Sequence, residues 1–236
     1  MWERVSGTVE WVGGHTLVVL VGMLIPAAGA LAFITLADKV MEGRTKHIDD
    51  RIILALRKPN DLATPVGPPW LAEVARDVTA LGGVTLIVLV LVVVAGFLLL
   101  DRKFAATLFV VAATASGFGL SAVLKSVYQR PRPSVVPHLM HASHSSFPSG
   151  HSMMSAVVYL TLGALLARLV AESRLKFYVL SVAVVLTGMV GVSRVFMGVQ
   201  YPTDVLAGWC VGLVWASLCW LVGRRLQRQG TIEREG

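Results

Sequence analysis

Charge is scarce in this sequence. Of 236 residues only 15% are Asp, Glu, Lys or Arg, while 55% are hydrophobic, a balance too apolar for an ordinary soluble domain and suited to a bundle of membrane helices. Cysteine is nearly absent: Cys210 and Cys219 stand together in the last apolar run, which leaves no disulfide scaffold to read. The formal net charge is +7, but the basic residues form no continuous stripe with interleaved aromatics. Nucleic acid is therefore not the implied partner, and the anionic headgroups of a lipid bilayer are. The first apolar run lacks an A-x-A stretch before its polar flank, so it reads as a membrane helix and not as a secretory leader. No repeat, low-complexity tract or linker divides the chain, and a single domain over 1–236 is expected.

What is present is length of apolar sequence. About 20 such residues cross a bilayer, and the runs at 15–37, 79–100, 104–125, 152–171, 177–197 and 203–223 meet that requirement. The expected fold is all-α: a polytopic membrane protein of six transmembrane helices. The long first loop, about 38 to 78, carries Ile52, Ile53, Leu54 and Leu56 at helical spacing among charges, which predicts an amphipathic surface segment. "GPPW" at 67–70 then breaks the pattern. Trp2 and Trp70 are either headgroup-level anchors or plain packing residues.

Six spans alternate in direction, so the loops after the first, third and fifth share one membrane face. Lys125, His151, Arg194 and Asp204 all fall at that face. Lysine and arginine divide about evenly between the two sides, but the short loops "DRK" and "RLK" and the C-terminal "GRRLQR" place the termini in the cytoplasm and the polar face outside it.

The residue types gathered there fit an anion. Lys125 and Arg132 flank a proline-rich turn in "KSVYQRPRP"; alone, they read as basic residues snorkelling from a helix end. "FPSGHS" at 147–152 puts Pro-Ser-Gly directly before a long helix, where backbone N–H groups and a serine hydroxyl can face negative charge. Gly150 permits close backbone approach, and His151, in the first turn, becomes a proton donor candidate beside such a nest. Arg194 ends an otherwise apolar run and needs an anionic partner. That partner is either Asp204 or a phosphate held jointly with Lys125 and Arg132.

In order, K-x6-R-P at 125–133, P-S-G-H at 148–151 and S-R-x5-Q-x3-D at 193–204 resemble the three-part signature of the type 2 phosphatidic acid phosphatase family. The resemblance implies a phosphatase or diphosphatase of membrane lipids that needs no metal or other cofactor and works through a covalent phosphohistidine. Its substrate and partner would be a phosphorylated membrane lipid in a bacterial cytoplasmic membrane, with the active site on the extracytoplasmic side. On that pattern Lys125, Arg132 and Arg194 hold the phosphoryl oxygens, Ser149 and the Gly150 amide complete the cradle, His151 protonates the leaving oxygen, and Asp204 supports the nucleophilic imidazole.

The nucleophile itself is missing. Its position, four residues before Asp204, holds Gln200, whose amide nitrogen has its lone pair delocalised into the carbonyl and attacks phosphorus very poorly. Two readings follow: a lipid phosphatase impaired at its nucleophile, or a silent relative that binds a phosphorylated lipid headgroup without cleaving it. A transporter ranks below both, because the charges cluster at one face and do not line a path through the midplane. A relation to vanadate-dependent haloperoxidases is weakened because residue 200 would have to ligate vanadium.

Two further patterns have bland explanations. His138, His141 and His144 recur at every third position but lack nearby carboxylates or cysteines, so surface or headgroup contact is expected before a metal. Gly208 and Gly212 form G-x-x-x-G in the last span, expected to serve helix packing within the chain and not a dimer seam.

Overall fold

The protein is described by a computed structural model covering residues 2–140 and 145–230, with side chains from residue 22 onward except those of 168, 169 and 228. A backbone in hydrocarbon has no water to satisfy it, so long uncharged runs close their hydrogen bonds internally as helices. The helices are α1 (Trp2–Met41), α2 (Lys46–Ala55), α3 (Pro69–Ala80), α4 (Val84–Leu100), α5 (Phe104–Tyr128), α6 (Gly150–Ser155), α7 (Thr161–Leu169), α8 (Ser173–Phe196) and α9 (Pro202–Arg228), with a π-helical turn at Ala156–Leu160 joining α6 to α7. Among the described residues, Gly22–Met41, Phe104–Tyr128, Gly150–Ala167, Ser173–Phe196 and Pro202–Gln227 are long and apolar enough to cross a membrane. The pair α3 and α4, bent by 46°, makes a sixth crossing if taken as one span. Large apolar side chains cover the outside: Phe97, Leu108 and Phe177 are 66%, 71% and 75% exposed, a surface suited to lipid and not to water.

The first loop holds more structure than its sequence pattern implies. The amphipathic helix is there as α2, with Ile53 buried and Ile52 and Leu54 exposed. After it comes an unexpected hairpin, β1 (Arg57–Lys58) paired antiparallel with β2 (Asp61–Pro65). "GPPW" does not merely interrupt the chain: Pro68 is the N-cap and Pro69 the first residue of α3, where a missing N–H and a fixed φ cost nothing. Trp70 is exposed in that first turn.

The run expected as the second span, 79–100, is interrupted near its start between α3 and α4, where the chain packs closely against its neighbours. A Cβ on Gly82 would lie 2.5 Å from Val190 Cγ1 and 3.0 Å from the His151 carbonyl oxygen, so the chain passes His151 at a distance only glycine allows. At the break, the Leu81 carbonyl accepts a 2.7 Å hydrogen bond from the Tyr159 hydroxyl.

The G-x-x-x-G pair packs within the chain. A Cβ on Gly208 would lie 2.6 Å from the Ser149 carbonyl, and one on Gly212 would lie 2.6 Å from the Met153 carbonyl, so α9 crosses α6 almost backbone to backbone. Gly208→Ala must push the start of α6 away and is expected to cost about 1–3 kcal/mol, read as a lower Tm in detergent. Gly96→Ala, whose Cβ meets nothing within 4 Å, is the control expected not to lower it.

The three loops predicted to share a face are bonded to one another. Arg57 of the first loop donates to the Phe196 carbonyl at 3.0 Å, and the Leu139 N–H of the third donates to the Met197 carbonyl of the fifth at 3.1 Å.

Candidate active site

Residue 200 is positioned by how α8 ends. The helix terminates on Gly198, whose φ of +74° is the left-handed conformation that glycine supplies at helix C-termini; the Gly198 N–H returns to the Val195 carbonyl at 2.9 Å. Arg194 lies in the last turn and is 3% exposed, and Gln200, two residues past the turn, is 1% exposed. The chain then enters α9 through Tyr201 and Pro202, and the Asp204 carboxylate folds back to accept the Tyr201 N–H at 3.0 Å.

Opposite stands the N-terminus of α6. Ser149 is its N-cap: the hydroxyl oxygen accepts from the Ser152 hydroxyl at 2.9 Å and the Ser152 N–H at 3.4 Å, while the Ser149 N–H donates to the Asp204 carbonyl at 2.9 Å. The serine is thus spent in part on closing the helix. Gly150 faces Lys125: a Cβ on it would lie 3.3 Å from Lys125 Cε and 3.6 Å from Nζ. Lys125 Nζ donates to the Ser145 carbonyl at 3.2 Å.

Lys125, Arg132 and Arg194 form one electropositive group. Lys125 feels the charges of both arginines, and His151 feels all three cations. Burial lowers the Arg132 guanidinium below its ordinary value. Arg132 Nη1 donates to the Val199 carbonyl at 2.6 Å. The Gln200 amide, in the orientation its neighbours satisfy, accepts from the same nitrogen at 2.6 Å and donates to the Ser146 carbonyl at 2.9 Å.

Arg194 is poorly satisfied. Nη1 reaches Thr79 Oγ1 only at 3.5 Å and the Met140 sulfur, a weak acceptor, at 3.2 Å, and Nε is buried with no partner. Among the described residues it pairs with no carboxylate. Of the two partners the sequence left open for it, Asp204 is engaged elsewhere: its Oδ1 accepts from Arg130 Nη1 at 2.6 Å.

Arg130 and Asp49 were invisible to sequence reasoning. Arg130 Nη2 reaches Asp49 Oδ2 at 2.9 Å, its guanidinium carbon lies 4.1 Å from the Tyr201 ring centroid, and Asp49 is fully buried. Burial pulls the Arg130 pKa down, but the Asp204 and Asp49 carboxylates outweigh it and raise it above the ordinary value. Within "QRPRP" only Arg132 fits a motif, and Asp49 is one of several charged residues on the amphipathic segment of the first loop.

Of the histidine triplet, only His138 is described. His138 Nε2 bonds the Pro133 carbonyl at 2.7 Å, and His141 and His144 lie outside the described residues. No group of three or more His, Cys, Asp or Glu able to hold a metal occurs among the described residues.

Residues 104–228 match the model of the PAP2 superfamily, a span containing all three motifs and more than half of the chain. The chain belongs to the PAP2 superfamily. Phosphatidylglycerophosphatase B of Bacillus subtilis is 34% identical over 193 residues, covering 81% of this chain and 91% of that protein. The crystal structure of the transmembrane PAP2-type phosphatidylglycerolphosphate phosphatase from Bacillus subtilis superposes with a TM-score of 0.76 at 31% identity, over 86% of this chain and 98% of that one. A lipid A 1-phosphatase of Rhizobium etli is 33% identical over 108 residues, 42% of each chain. This PAP2 protein is therefore an integral membrane member of a lipid phosphatase family.

Proposed function

We propose that this protein carries the site of a lipid phosphate phosphatase, acting on the phosphomonoester or diphosphate of a membrane lipid, with turnover impaired by Gln200. Supporting the reading above all is Arg194: a guanidinium 3% exposed, with an orphaned Nε and two other cations beside it, is a costly arrangement that a phosphoryl group relieves. Lys125, Arg132 and Arg194 would hold the phosphoryl oxygens, with Ser149 and the Gly150 amide at the helix N-terminus completing the cradle.

With an imidazole at position 200, its nitrogen would attack phosphorus as the bond to the lipid oxygen breaks, and His151 would give that oxygen its proton. Water would then attack the phosphohistidine and release phosphate. Gln200 cannot take the first step. The same amide favours a second reading, a headgroup-binding protein that no longer cleaves, because it sits in hydrogen-bond register with Arg132 and leaves the cations in place.

The site would face outward from a bacterial cytoplasmic membrane, from the distribution of basic loops. Undecaprenyl diphosphate, phosphatidylglycerol phosphate and phosphatidic acid all present an anion above an apolar tail; the second comes first for testing, given the relative that spans most of the chain. Phosphate release is to be measured over these three lipids for this chain and for Gln200→His. Turnover of at least one lipid by the variant is expected, and none by either chain would count against the reading.

The reaction is expected to need no metal, since three cations and a helix end can neutralise the developing charge. Gln200→His should keep its full rate in excess EDTA. A loss reversed by a divalent ion would contradict this.

A further inference from the structure

Asp204 is fully buried, and its carboxylate, which also attracts Lys125 and Arg132 electrostatically, is anchored by groups outside the trio of Lys125, Arg132 and Arg194. One oxygen accepts from Arg130 and the other from the Tyr201 N–H. Arg130 is held in turn by Asp49, across 81 residues of sequence. Asp49 is fixed from two sides: its Oδ1 accepts the Thr203 N–H at 3.1 Å and its Oδ2 the Thr203 hydroxyl at 2.7 Å. The Thr203 hydroxyl also accepts from Arg130 at 2.9 Å.

The arrangement closes on itself. Arg130 uses two different nitrogens for two different carboxylates, and Thr203 ties the distal carboxylate to the residue preceding Asp204. A guanidinium can span two acceptors in this way because its N–H groups form a rigid planar fork, whereas an ammonium is a single point of charge. None of these contacts involves the three phosphate-facing cations.

We infer that Arg130 and Asp49 are positioning residues for phosphoryl transfer: they fix the charge and orientation of Asp204, and so make the amphipathic first-loop helix α2 a structural part of the catalytic centre. This rests on the reading of residue 200 as the nucleophile's place. Without Arg130, the buried carboxylates of Asp49 and Asp204 would lose the cation that joins them, which favours uptake of a proton by one of them. A protonated Asp204 could still accept a hydrogen bond but would no longer stabilise an imidazolium. Ground-state binding by Lys125, Arg132 and Arg194 would persist, so the loss would fall on kcat and not on KM.

The test uses the full chain carrying Gln200→His, with Arg130→Gln, Arg130→Lys and Asp49→Asn added singly. Measured are kcat and KM on phosphatidylglycerol phosphate, Tm, and the low-field proton resonance of the imidazole introduced at position 200. Arg130→Gln is expected to lower kcat on the order of a hundredfold, as loss of geometry around a reacting group does, with KM nearly unchanged. Arg130→Lys should recover part of the rate, Asp49→Asn should lose less than Arg130→Gln, and the low-field proton should vanish or shift in Arg130→Gln. If Arg130→Gln does not fold, the other two variants carry the same split.

An unchanged kcat overturns the inference. So does a fall in rate that tracks Tm, with Arg130→Lys no better than Arg130→Gln, because that describes a brace for the fold. If Gln200→His releases no phosphate in any background, the proposed activity fails separately and the resonance decides alone. A low-field proton lost on Arg130→Gln supports positioning; one that is absent from the start or indifferent to Arg130 refutes it.

Discussion

Gln200→His is expected to raise the rate of phosphate release from at least one lipid on the order of a thousandfold or more, the scale on which enzymes lose activity when a covalent nucleophile is removed. The physical cause is local. The Gln200 amide nitrogen already donates to the Ser146 carbonyl while its oxygen receives Arg132, so residue 200 is buried in a place with one acceptor and one cation to satisfy. An imidazole can give its N–H to a neighbouring acceptor and keep a localised lone pair on the other nitrogen, which an amide cannot. Asp204→Asn in the same background should reduce the gain, since it removes the buried negative charge that Arg130 and the Tyr201 N–H hold in place. The check is a steady-state assay of released phosphate, with acid-labile phosphoprotein trapped by rapid quench.

Arg194→Met should move function and stability in opposite directions. In the Gln200→His background it removes one of three phosphate-facing cations and is expected to lower kcat/KM by about 100- to 1,000-fold, the scale of losing a preorganised charge-stabilising donor. In the ligand-free chain it removes a buried guanidinium whose best contacts are a hydroxyl at 3.5 Å and a thioether at 3.2 Å. Replacing such a group with an apolar one of similar length should leave stability unchanged or raise it by on the order of 1 kcal/mol. Inorganic phosphate should raise the Tm of the parent chain and not that of Arg194→Met. A lower Tm without ligand, together with full retention of the phosphate effect, would place the anion elsewhere.

The spans and the geometry of the candidate site were legible in the sequence to different depths. Long apolar runs announce membrane helices because hydrocarbon leaves the backbone no alternative, and loop parity then brings Lys125, His151, Arg194 and Asp204 to one face without any knowledge of packing. Gly208 and Gly212 were readable for the same reason: small residues one turn apart let two backbones meet. The break at Leu81–Gly83 carries a local Gly-Gly signal, but the close approach of Gly82 to Val190 and the His151 carbonyl belongs to other helices, and no local pattern encodes that proximity. The hairpin at 57–65 is too short for a periodic signal. Arg130 and Asp49 escaped because a buried charge pair is a property of two distant segments, and each residue alone looks like ordinary helix-end or surface charge. Asp204 was expected to be free for either Arg194 or residue 200; its engagement by Arg130 required the fold.

The measurement that bears most directly on the account is a single-turnover comparison of this chain and Gln200→His on phosphatidylglycerol phosphate labelled in its terminal phosphate. Bound lipid, acid-labile phosphoprotein and free phosphate are quantified from the same quenched samples. The account predicts that both chains retain the lipid with comparable affinity, while only the variant accumulates labelled protein and then free phosphate. Phosphate released by this chain as fast as by the variant, with no labelled protein trapped in either, would contradict it and remove residue 200 from the reaction.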